Sequence, residues 1–301
     1  MSRPLPQATS EQSFRGSGFT SERFVTRIIS VALVASFCAL ACEAHSAGSR
    51  HVNTNEFKGA GLCRFSLHDI AVSPQMEASI NSGVGQVIAL HKSVFGMTNL
   101  PTITFNIRLF RRFEDFKVYH AASGKGFHIW SGGVYIADKK EIVTSWDSKP
   151  ERVLKTIYHE ASHAILHQTI GGTPLWFKEG SAEYFAKLMV ARSRIGNEVW
   201  REGLFPCKTM LRENRLPSLE TILKYTDSDW PDSKQHEIYA TSWSVVQFLT
   251  SSPARKQVLQ KYVGRLAEKH GNVDSVKLLG ELYPGGLQKI EQDWRAWIST
   301  A

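Results

Sequence analysis

From Ser148 to Pro174 the chain spells out the start, the buried side and the end of one helix, and that helix carries two histidines a single turn apart. Ser148-Lys149-Pro150-Glu151 has the capping-box form, with Ser at the N-cap, Pro in the first turn and Glu three residues on. Val153, Leu154, Ile157, Ala161, Ala164 and Ile165 then recur at helical spacing. Gly171-Gly172 ends the run and Pro174 opens the next segment. A helix with one apolar side must bury it, so the rest of the chain has to supply a layer for it to pack on.

The residues before it read as that layer. Pro74 opens a helix expected over Gln75–Phe95, with Met76, Ile80, Val84, Val87, Ile88 and Val94 on one side and Gly96 as its stop. Thr102–Leu109 alternates apolar and polar residues as a strand does. A second β-rich stretch covers Gly126–Trp146, with Gly132-Gly133 as its expected turn and Asp138–Glu141 between Val134–Ala137 and Ile142–Thr144. From residue 148 the pattern is helical almost to the end, where Leu287, Ile290, Trp294, Trp297 and Ile298 form an apolar stripe suited to a core. Strands first and helices after give an α+β class. The expected architecture is a small, mostly antiparallel sheet packed on the 148–170 helix, with a β-rich part 61–147 and a helical part 148–301.

The N-terminus has a different grammar. Arg23 and Arg27 precede the apolar run Ile28–Leu40, and Ala39-Leu40-Ala41 offers an A-x-A exit. Those three features describe a secretory signal, and the run is shorter than the ~20 residues that span a bilayer. Residues 1–47 are therefore read as a signal peptide or signal anchor, and 48–60 as a linker. Export to the periplasm or outside follows, with retention by an uncleaved anchor or a lipidated Cys42 as alternatives. Cys38 and Cys42 lie in or beside the signal, leaving Cys63 and Cys207, which an oxidising compartment would allow either to pair or to stay as buried thiols. The net charge of +8 is read as a solvated face, with contact to an anionic envelope or membrane surface as the alternative. No basic stripe interleaved with aromatics is present, so nucleic acid is not an expected partner.

His159-Glu160-Ala161-Ser162-His163 fits H-E-x-x-H. Residues four apart on a helix point the same way, so both imidazoles can reach one zinc ion. Glu160 projects about 100° round the helix from His159, free to act as general base on a water rather than as a ligand. The bland alternative is two surface histidines on an amphipathic helix. The segment Leu175–Phe185 reads as a second helix on which Glu179 and Glu183 share a side. Two carboxylates there need positive charge nearby, which assigns Glu179 as third ligand and Glu183 as the group that orients one histidine. A plain Glu183–Lys187 pair at i+4 competes with that reading. Thr169 stands where a third histidine of the H-E-x-x-H-x5-H type would fall, and His167 is read as a partly buried helix residue.

H-E-A-S-H followed by W-F-K-E-G-S-A-E-Y-F resembles the gluzincin zinc metallopeptidases, in particular their peptidase MA-like families, which show W-x-x-E-G-x-A-E-Y on the helix after H-E-x-x-H. The resemblance implies His159, His163 and Glu179 on Zn2+, Glu160 as catalytic base, a gluzincin-like fold over 61–301, and a peptide or protein substrate. It also implies a later helix of Tyr-x-x-Ser form, which Glu237–Leu249 matches. Tyr239 is then a candidate donor to an oxyanion, with packing at the helix start as its plainer role and His236 as a lesser candidate. No G-x-M-E-N element is present, so the likeness stops short of an aminopeptidase. Beside the peptidase stand two other readings: a zinc module without hydrolytic activity, and an envelope scaffold or adhesion protein using the basic face.

Overall fold

In a computed structural model, residues 56–59, 61–123, 132–146, 149–193, 198–229 and 235–301 are described. The expected signal segment, Cys38, Cys42, most of the linker, Ser148 and residues 126–131 of the β-rich stretch lie outside them.

Alternation builds the sheet. Strand β2 (Phe105–Phe110) turns Phe105, Ile107 and Leu109 into the main core, all 1% exposed or less. It is flanked in parallel by β1 (Cys63–His68) and β4 (Glu141–Ser145), and β3 (Gly133–Ile136) closes the order β1-β2-β4-β3 by pairing antiparallel with β4. The sheet is therefore mixed, with two parallel ladders to one antiparallel, and the expectation of a mostly antiparallel sheet is corrected. Helices supply the physical reason. The 22-residue α1 (Pro74–Phe95) joins β1 to β2, and α2 (Phe113–Ala121) lies between β2 and the β3–β4 hairpin. Crossovers of that length return the chain in the same direction. Neither β1 nor α2 was expected from the residue pattern.

Gly132-Gly133 is likewise not the turn. The chain reverses through a 3-10 turn at Ala137–Lys139, with Lys140 in the left-handed region at φ 53°. Gly133 instead opens β3 where it crosses helix α3 (Pro150–Thr169): a Cβ there would lie 2.5 Å from Thr156 Cγ2 and 3.0 Å from the Val143 carbonyl oxygen. Glycine is what lets the edge strand approach that helix. Helix α1 runs as expected, with Ser73 as N-cap accepting from Met76 N–H and Gly96 closing it at φ 72°.

The outer side of the sheet is held to α2 by a buried polar network. Arg108, 4% exposed, donates from Nε and Nη2 to both carboxylate oxygens of Glu141 at 3.1 and 3.3 Å. Its Nη1 donates to Ser66 Oγ, and Tyr119 on α2 donates to Glu141. Pairing both charges with full hydrogen bonding is what makes their burial tolerable.

Helix α3 begins at Pro150 with Lys149 as N-cap and no side-chain cap, one residue later than the capping-box reading. It buries Val153, Ile157, Ala161, Ala164 and Ile165 as the periodicity required. Helix α4 (Leu175–Ser193) follows the Gly-Gly-Thr-Pro turn and packs between α3 and α7 (Gln235–Thr250). At Gly180 a Cβ would lie 2.4 Å from the Ser242 carbonyl oxygen, so glycine sets the α4–α7 separation. Between them run α5 (Glu198–Arg212) and the short α6 (Leu219–Leu223). Then α8 (Pro253–Glu268), α9 (Ser275–Leu282) and α10 (Gly286–Thr300) complete the helical half. Ile290, Trp294 and Ile298 of α10 are fully buried, as expected of the stripe, and Trp294 Nε1 donates to Ser244 Oγ. Cys63 and Cys207 are both free buried thiols, and burial pushes each up to about 12. Among the described residues no helix is long and apolar enough to cross a membrane.

Candidate metal centre

Helix geometry places His159 and His163 on one side of α3, and the turn at residues 171–174 brings α4 back across it. Among the described residues, His159, His163 and Glu179 are the one group of three potential metal ligands that converges. The two Nε2 atoms lie 3.0 Å apart, and Glu179 Oε2 lies 3.4 Å from the first and 3.3 Å from the second. Bonds of ~2.0–2.1 Å in a tetrahedral zinc site put donor atoms about 3.3 Å apart. The triangle of donors therefore fits a divalent ion of that size and geometry.

A second observation points the same way. Glu179 Oε2 is buried and, close as both imidazoles are, no hydrogen bond of acceptable geometry reaches it. The two Nε2 atoms lie within hydrogen-bond distance of each other, so the cost falls on the buried carboxylate oxygen unless a cation lies there. His159 and Glu179 are both buried, at 9% and 6% exposed.

Each candidate ligand is backed differently. His159 Nδ1 lies 3.3 Å from Glu183 Oε1, which places that carboxylate beside the second ring nitrogen. The competing reading is present as well, because Glu183 Oε2 pairs with Lys187 at 3.0 Å and with Lys155 at 3.5 Å. His163 Nδ1, by contrast, is buried without a partner. Glu179 Oε1 lies 3.4 Å from Lys178 Nζ, which also reaches Asp227 Oδ1 at 3.6 Å.

Charge follows geometry. Burial works against a charged His159 ring, yet Glu179 and Glu183 beside its two nitrogens outweigh burial and hold its pKa above the ordinary value. Burial also opposes charge on Glu179 and Glu183. The His163 and His159 rings on the first, and His159 with Lys187 and Lys155 on the second, hold both carboxyls well below the usual range. Both acids are thus ionised, as ligand and orienting group require.

The cluster opens on a cavity of about 460 Å3. Glu160 lines it beside His159 and is 6% exposed, so the expected base faces the same space as that candidate ligand. Tyr239 comes to it from α7, its ring edge-on to His159 at 5.9 Å between centroids. Burial first, then the three nearby carboxylates, raise its phenol well above the ordinary value, so it keeps its proton and remains a donor. His236 lines the cavity too and is exposed. His167 stands away from the cluster: it is exposed rather than partly buried, with Nδ1 3.5 Å from Tyr135 Oη.

Two contributors, Lys155 and His91, were not singled out in the sequence, and Lys187 was read there only as an i+4 partner of Glu183. Lys155 and Lys187 flank Glu183, and the available signal was spacing, since they stand four residues before His159 and four after Glu183. Fully buried His91 of α1 accepts from Ser162 inside the H-E-A-S-H stretch (3.2 Å), and nothing local marks a histidine 71 residues upstream as its partner.

Residues 153–271 are similar to a family model described as a protein of unknown function, DUF1570. The match takes in the candidate ligands on α3 and α4 and reaches past Tyr239. No curated protein matches the chain.

Proposed function

We propose that this chain is an exported zinc-dependent peptidase of gluzincin type, in which His159, His163 and Glu179 hold the ion and Glu160 is the general base. The observation that carries the reading is the donor triangle of 3.0, 3.3 and 3.4 Å whose carboxylate oxygen is otherwise unsatisfied. Zinc, when bound, supplies Lewis acidity toward a peptide carbonyl and toward water. The chain's own residues do the rest. Glu160 accepts a proton from the attacking water and can return it to the departing amine. Tyr239, kept as a neutral phenol, donates a hydrogen bond to the carbonyl oxygen as charge develops there. Glu183 holds His159 in one orientation throughout.

Strand β3 is one of the two outer strands of the described sheet, and Gly132 and Gly133 at its start line the cavity. An extended peptide can add to such an edge by main-chain hydrogen bonds. A buried carboxylate beside a metal site but outside its ligand set favours catalysis over a purely structural ion, which has no use for Glu160.

The test is a peptide-library digest with and without chelator, run beside zinc analysis. Wild type is expected to contain one zinc and cleave only without chelator. Glu160→Gln is expected to keep the zinc and lose cleavage, and His163→Ala to lose both. A fully zinc-loaded wild type that cleaves no peptide in the library would leave the non-hydrolytic zinc module as the better reading.

A further inference from the structure

The cavity beside the candidate metal centre carries more positive charge on one wall than its own acid neutralises. Lys155 stands one helical turn before His159 on α3, and Lys187 one turn after Glu183 on α4, and both line the cavity. Their ammonium groups converge on a single oxygen, Glu183 Oε2, at 3.5 and 3.0 Å, while the other oxygen of Glu183 serves His159. Two cations against one carboxylate leave one positive charge. Neither lysine is sealed in: the side chains are 42% and 20% exposed, and each ammonium has donors beyond the one directed at Glu183. Lys187 is further steadied above the Trp243 ring at 5.6 Å. Glu160, the other acid on this cavity, projects about 140° round α3 from Lys155.

We propose that Lys155 and Lys187 form a carboxylate receptor, and that the peptides taken by this site carry a carboxylate on the residue adjoining the scissile bond. The proposal rests on the peptidase reading for the words "scissile bond" but not for the receptor itself. Distance selects the position. One turn of helix is about 5.4 Å, so a carboxylate held at Lys155 lies about that far along α3 from the His159 end of the ligand triangle. Neighbouring residues of an extended peptide are about 3.8 Å apart at Cα. A carboxylate one residue from the reacting carbonyl spans the gap, and one three residues away overshoots it. The carboxylate can belong to an Asp or Glu side chain or to the chain terminus.

Binding is measured by calorimetry on the full chain carrying Glu160→Gln, in zinc and again in chelator. The probes are matched peptides with Glu or Gln at each position, with free or amidated C-termini. Acidic peptides are expected to bind about tenfold or more tightly than their amide counterparts, as two charge-assisted hydrogen bonds imply. That ratio is expected to fall to about one in Lys155→Met/Lys187→Met. Loss of the preference on amidation assigns the carboxylate to the chain end, and loss on Glu→Gln assigns it to a side chain. Equal affinity for acidic and amide peptides overturns the receptor, as does a double variant that keeps the full ratio. Should the double variant not fold, the ratio on the Glu160→Gln chain decides alone. Cleavage by wild type is followed separately, so a receptor that binds acidic peptides in a protein that cleaves none would sink the peptidase reading and spare the receptor.

Discussion

Lowering the pH is expected to loosen the joint between α1 and α3 through one residue, His91. It is fully buried. Its Nδ1–H donates to the Val87 carbonyl at 2.9 Å, so its Nε2 accepts from the Ser162 hydroxyl at 3.2 Å, and its ring packs on Phe185 at 4.2 Å. Burial pushes its pKa from 6.5 down to about 4. The fold therefore holds the ring neutral, and the unfolded chain binds its proton first as the solution is acidified. The stability this contributes is complete above pH 6.5 and is lost as pH falls toward 4. Linkage puts the loss at about 2 kcal/mol by pH 5 and about 3 kcal/mol by pH 4. The assay is urea denaturation in chelator at pH 7.5, 6, 5 and 4, for wild type and His91→Gln. The variant is expected to be less stable at pH 7.5 and to close that gap by about 3 kcal/mol on reaching pH 4. Contributions from other acids and histidines cancel in the comparison. A gap that stays constant across the series would refute the claim that His91 is held neutral by burial at this joint.

Lys178→Met should weaken zinc binding by about tenfold or more in chelator competition, with Lys178→Arg restoring most of it, because Glu179 Oε1 loses the ammonium that steadies it. Tyr239→Phe should lower kcat by about a hundredfold or more at unchanged zinc content if its phenol serves the oxyanion, and an unchanged kcat would leave it a packing residue. Gly180→Val should destabilise the fold by about 1–3 kcal/mol in thermal or urea melts, since its Cβ would meet the Ser242 carbonyl and drive α4 from α7. Excess zinc at about a hundred times its Kd should stabilise wild type by about 2.7 kcal/mol over the chelated protein, and His159→Ala should show no such shift.

The parts of the site legible in the sequence are those fixed by helix geometry. His159 and His163 share a side because four residues make about one turn, and the same rule pairs Glu179 with Glu183. The Gly-Gly-Thr-Pro interval told where α3 stops and α4 starts, and the burial of Val153, Ile157 and Ile165 followed from their spacing alone. Strand direction was not legible. Alternation in Thr102–Leu109 announces a strand but carries no information about its neighbour, so the parallel ladders to β1 and β4 emerged only with the crossover helices. Gly133 reads as turn chemistry in one dimension and acts in three as a gap against Thr156.

Local rules thus settled which side chains each helix offers, because neighbours along a helix are neighbours in space. Tertiary packing alone decided what they meet: Glu179 Oε2 with two imidazoles, Lys178 on its other oxygen, His91 against Ser162, and two lysines from different helices on one oxygen of Glu183. Those contacts depend on how far apart the helices sit, and that distance is set by residues such as Gly180 whose own sequence context gives no sign of the partner.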